Sequence, residues 1–201
     1  MRVTFPRLPD RERGYALVER DDGVVYRLHG GPSGPRLPHD LRHHVVEREL
    51  GLTDGIWAGI ASGMVFTSMQ HLRGRRPPHA AERSRSMMRA SRDRLLRAEL
   101  LADLTEAVAA LEYPTETQIR RLAGRKLAVL PALETDPILL ARAAAALQVE
   151  AARWARLRVG EELRYDWPRL PRPRPPRAIP PQGAGRTSRP HAPRIVRRAR
   201  T

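Results

Sequence analysis

Apolar and polar residues alternate through GYALVERDDGVVYRLHGG, residues 14–31, on both sides of Asp22-Gly23. A period of two turns one face of a strand toward a core, and Asp-Gly supplies the positive φ that a tight hairpin turn demands. The stretch therefore predicts an antiparallel hairpin. Met1 to Phe5 adds a further strand before Pro6, and the Gly and Pro content of residues 30–38 marks a loop. Near the other end, LRVGEELRYDWP leaves a helical pattern at Gly160 and predicts a short strand, Leu163 to Trp167, ended by Pro168 and returning to the hairpin.

Between these, apolar residues recur at helical spacing. One helix is expected from His39 to Leu50, with Pro38 at its entrance, Asp40 suiting the dipole and Gly51 as its stop. A short helix follows Thr53 or Asp54 and carries Ile56, Trp57 and Ile60 as far as Gly63. After Pro77-Pro78 a long pattern runs from His79 to about Leu111. Thr115 and Gln118 form a capping-box pair for the next helix, which Pro131 ends. The last begins at Asp136-Pro137 and keeps Leu140, Ala144, Leu147, Ala151 and Trp154 on one face. The expected fold class is α+β: a small antiparallel sheet, made by the N-terminal hairpin and the C-terminal strand, packed on a mostly helical body of about five helices. Residues 1–167 read as one domain.

Composition changes this picture at one end. The net charge of +15 looks like a nucleic-acid signature. Ten arginines and no acid lie between Pro168 and Thr201, however, so residues 1–167 carry only about +5. Nine of the nineteen prolines are in the same tail with almost no large apolar residue, so residues 168–201 cannot offset their ordering entropy and are expected to be disordered. Nonspecific binding of nucleic acid or another polyanion is the partner this tail suggests. The N-terminus has no apolar leader and no stretch reaches membrane-spanning length, which points to a cytoplasmic protein that does not enter the membrane.

The chemistry is concentrated in LPHDLRHHVVEREL, residues 37–50. Cysteine is absent, so any metal must be held by nitrogen and oxygen. On a helical wheel His39, His43, Val46, Glu47 and Leu50 fall on one side, whereas His44 is expected to face solvent. His39 and His43 stand one turn apart, the spacing at which paired histidines hold one ion, and His43 with Glu47 has the same spacing. His39 and Glu47 are about 12 Å apart along the axis, so all three cannot reach one ion. Completion requires ligands from elsewhere, and His71, His79 and Glu82 are the candidates. The candidate set is thus His39, Asp40, His43, Glu47, His71, His79 and Glu82, for zinc or another divalent metal. The alternative is a non-enzymatic interaction protein whose histidines are hydrogen-bonded parts of the core and whose basic tail does the binding.

The hairpin, LPHDLRHHVVERELGLTDGIW and GRRPPHAAERSR together resemble a group of short bacterial proteins of actinobacterial type, over roughly residues 1–167. His39-Asp40-x-x-His43 is also similar to the His-Asp-x-x-His signature of coenzyme Q biosynthesis proteins, a resemblance that implies a zinc site at His39, Asp40 and His43. That family's pattern continues with a glutamate twelve positions after the second histidine, where this chain has Gly55. No phosphate-binding glycine loop, dinucleotide fingerprint or nucleophile elbow is present. A helix-turn-helix with its turn at Gly124 is the remaining motif, and Pro131 leaves it too short a second helix.

Overall fold

The computed structural model describes residues 1–129 and 135–168. Residues 169–201 of the tail expected to be disordered, and Pro131, lie outside them. The elements run β1 (Arg2–Pro6), β2 (Arg13–Glu19), β3 (Val25–Pro32), α1 (His39–Glu49), α2 (Ile56–Ser62), β4 (Met69–Arg73), α3 (Ala80–Ala90), α4 (Arg92–Ala109), α5 (Glu116–Lys126), α6 (Pro137–Ala155) and β5 (Glu162–Asp166). The architecture is the expected α+β one. Five antiparallel strands lie in the order β4-β3-β2-β1-β5.

Register explains which face is buried. Val3 pairs with Val18 and Tyr165, Val18 with Tyr26, and Ala16 with Leu28, so directly opposed apolar residues share one side of the pleat. Against that side pack Leu41, Val45 and Val46 of α1, Trp57 and Ile60 of α2, and Trp154 of α6. A second apolar cluster joins Leu104 and Val108 of α4 to Ile119 and Ala123 of α5 and Leu140 and Ala144 of α6. The hairpin turns at Gly23, whose φ of +79° is the conformation Asp-Gly was expected to provide.

Four details differ from the sequence reading. β5 joins the sheet beside β1 rather than beside the hairpin strands. β4 is an unanticipated edge strand on β3; only Met69 of it is buried, so no alternation announces it. The long pattern from His79 to Leu111 is two helices, parted at buried Ser91, whose N–H is shared between the Met87 and Met88 carbonyls. Gly124 lies inside α5 and makes no turn, which removes the helix-turn-helix.

Local caps behave as their chemistry dictates. Thr115 and Gln118 form the reciprocal capping box of α5, and the Asp136 carboxylate accepts the Ile138 N–H at 2.8 Å ahead of Pro137. Asp136→Ala is therefore expected to cost about 1 kcal/mol, read as a small drop in the thermal midpoint, while Asp136→Asn keeps most of that stability.

Candidate metal centre

The site begins with the pairing of α1 and α4. His39, Arg42 and His43 line one polar edge of α1, and Glu99, Asp103 and Glu106 repeat at i, i+4 and i+7 along α4. The two stripes are complementary: Arg42 reaches Asp103 at 3.2 Å and also bonds Glu106. One turn earlier on α4, Glu99 Oε2 lies 3.1 Å from His43 Nε2, which is itself 3.2 Å from His39 Nε2. His39 Nε2 is 3.9 Å from the same carboxylate oxygen. Three potential ligand atoms from two helices thus face a common point, and among the described residues no other group of three His, Cys, Asp or Glu residues does so.

The floor of this cluster is closed and its rim is open. His43 is 1 % exposed, whereas the side chains of His39 and Glu99 are 53 % and 46 % exposed. Asp40 stands behind His39, its carboxylate 3.6 Å from Nδ1. That carboxylate raises the His39 pKa above its ordinary value against the lowering effect of burial. The contact with His43 holds Glu99 below the usual carboxylate range, with burial again opposing. His43 Nδ1 is buried without a hydrogen-bond partner. His39 and Asp40 also form part of the wall of a cavity of about 430 Å³, enclosed by the ends of β2 and β3, residues 33–38 and Trp154.

The remaining sequence candidates lie elsewhere. Glu47 is buried, and its carboxyl oxygens accept the N–H groups of Ile56 at 2.9 Å and Trp57 at 3.1 Å, capping the start of α2. Burial pushes its pKa up to about 8, although those amide donors act in the opposite direction. Gly55, where the coenzyme Q pattern has its glutamate, is pressed against this group: a Cβ there would lie 2.4 Å from Glu47 Oε2. His71, on edge strand β4, contacts the Gly74 carbonyl at 2.9 Å and the Tyr26 ring. His79 and Glu82 sit 3.8 Å apart on the surface at the start of α3. The structure brings none of these four into the three-atom group.

Two residues depart from the sequence reading. His44, expected in solvent, is fully buried among Phe5, Trp57, Tyr165 and Trp167, and both its nitrogens lack partners. Burial lowers its pKa to about 3. Glu99 was not singled out, although the acidic spacing 99, 103, 106 matched against 39, 42, 43 was a signal for it. No protein-family model, curated protein or solved structure matches this chain.

Proposed function

We propose that His39, His43 and Glu99 bind one divalent metal ion, with zinc as the first candidate. The observation that carries this reading is the double contact of His43 Nε2. A ring nitrogen has one in-plane direction, used either by a lone pair or by a proton, so it cannot serve His39 and Glu99 equally by hydrogen bonding. A cation at the common point satisfies all three atoms. Ligands about 2.0–2.1 Å from a tetrahedral ion stand about 3.3 Å from one another, close to the 3.1, 3.2 and 3.9 Å separations here. Two neutral imidazoles and one carboxylate suit zinc, and Asp40 supplies the carboxylate that commonly orients a ligating histidine. Three protein ligands leave one position for water or a small ligand, on the exposed side of the cluster.

The competing reading is a structural latch between helices, favoured by the neighbouring contacts of Arg42 with Asp103 and Glu106. Zinc titration of untagged protein separates the two. For a metal site, about one zinc per chain binds and raises the thermal midpoint, and Glu99→Gln weakens binding by at least about tenfold. For a latch, zinc leaves the midpoint unchanged, while His43→Ala costs about 1–3 kcal/mol with or without metal. Equal metal content in the wild type and a His39→Ala/His43→Ala double variant would end the metal proposal.

A further inference from the structure

The positive charge of the folded body is confined to one stretch of chain. Residues 73–97 hold nine arginines and only two acids, Glu82 and Asp93, so the rest of residues 1–167 is slightly acidic. This stretch comprises the end of edge strand β4, the connection that follows, α3 and the start of α4. Eight of the nine arginines are exposed.

What distinguishes them is the density of arginines without counter-charges. Among the described residues, ten arginines outside this stretch make ion pairs with carboxylates. Within it Arg73 alone does so, to Glu19. Arg85 and Arg89 stand one turn apart on α3, and Arg92 and Arg94 continue the basic run into α4, with Arg75 and Arg76 preceding it. Elsewhere among the described residues ten of seventeen arginines are paired and the seven that are not are scattered along the chain; here eight of nine are unpaired and consecutive along one stretch, left for an external anion.

We propose that this β4–α3–α4 surface binds the phosphate backbone of a nucleic acid. A single phosphate would need convergent donors in a pocket, whereas these guanidinium groups are spread along a strand end, a loop and two helices, the distribution that an extended polyanion engages. Lipid insertion needs large apolar side chains beside the cations, and the stretch has no Trp, Phe or Tyr and exposes only Leu96 among its large apolar residues, with Leu72 just before it. A protein interface is usually anchored by a buried aromatic or aliphatic centre, which is missing as well. Contacts to phosphate position the protein without reading bases, so the binding is indifferent to sequence. These nine arginines are distinct in sequence from His39, His43 and Glu99 and from the ten arginines after Pro168.

The test is fluorescence anisotropy of the full chain with a 20-base-pair duplex and an RNA of equal length across a salt series. Arg85→Gln/Arg89→Gln/Arg92→Gln, with circular dichroism to confirm an unchanged fold, is expected to weaken binding about tenfold and to reduce the salt slope by about 2–3. The charge-reversed Arg85→Glu/Arg89→Glu/Arg92→Glu variant should lose more. A control triple at exposed arginines elsewhere, Arg121→Gln/Arg125→Gln/Arg156→Gln, should change affinity less than about threefold if position matters beyond net charge. Affinity and slope unchanged in the Arg85/Arg89/Arg92 variants, or an equal loss in the control, would overturn the proposal. So would binding to phosphatidylserine vesicles without binding to either nucleic acid.

Discussion

Replacing Glu47 with alanine is expected to lower the stability of the fold by about 3–5 kcal/mol at pH 7, because it strands two buried amides. Glu47 is 1 % exposed, so water cannot replace the oxygens that accept the Ile56 and Trp57 N–H groups. Glutamine keeps one acceptor and turns a donor toward the other amide, so Glu47→Gln should cost less than alanine, about 1–3 kcal/mol. The same few cubic ångströms can be attacked from the other side. Gly55 has an ordinary φ of −80°, so alanine is not strained there by its backbone. Its Cβ would nevertheless lie 2.4 Å from Glu47 Oε2, and the tethered carboxyl has little freedom to move. Gly55→Ala should therefore cost about 2–4 kcal/mol. The double variant should cost less than the sum, because alanine at 47 removes the atoms that alanine at 55 strikes. Urea denaturation midpoints of the three proteins decide this; strictly additive losses would mean that the two positions do not compete for space.

How much of the fold could be read in advance depended on how local its causes were. The hairpin follows from Asp22-Gly23 and the alternation around it. The start of α6 follows from Asp136-Pro137, and that of α5 from the Thr115–Gln118 box. Each is decided within a few residues, where propensity and capping act. β4 was not legible because an exposed edge strand needs only backbone partners, and β3 supplies them from far along the chain. The break at Ser91 was hidden for the opposite reason: the residues around it are good helix formers, and only the backbone geometry of the folded chain interrupts the pattern.

The same division runs through the candidate site. His39 and His43 were visible as a pair because i and i+4 are neighbours on any helix. The wheel misplaced His44 because it assigned α1 one buried side. In the fold α1 packs against α2, α4, α6 and β3, so Leu41, His43, His44, Val45, Val46 and Glu47 are all buried. Glu99 belongs to another helix, and placing it required knowing that α4 lies along α1. Complementary charge at three successive contacts is the only trace that this packing leaves in the sequence, and such stripes also occur on solvated helices.

The buried pair His44 and Glu47 should give the metal-free protein a stability plateau between about pH 4.5 and 6.5, with losses on both sides. His44 titrates at about 3 when folded and 6.5 when unfolded, so between those values the unfolded chain holds the extra proton and stability rises with pH. Glu47 titrates at about 8 when folded and 4.5 when unfolded, so there the folded chain holds the extra proton and stability falls as pH rises. The two slopes cancel where the windows overlap. Below it His44 acts alone and above it Glu47 does; at about 1.4 kcal/mol per proton per pH unit, each limb is worth on the order of 2 kcal/mol. The half-exposed His39 and Glu99 reinforce both limbs. The depressed Glu99 loses its contribution in acid, and the raised His39 loses its contribution as pH climbs through its folded pKa. Because neither His44 nitrogen has a partner, His44→Leu sacrifices no hydrogen bond; it should flatten the acid limb without loss at pH 6, whereas Glu47→Gln should flatten the alkaline limb. Chemical denaturation at half-unit pH steps in the presence of a chelator measures both. An acid limb as steep in His44→Leu as in the wild type would assign the acid sensitivity to surface carboxylates and remove the buried imidazole from the account.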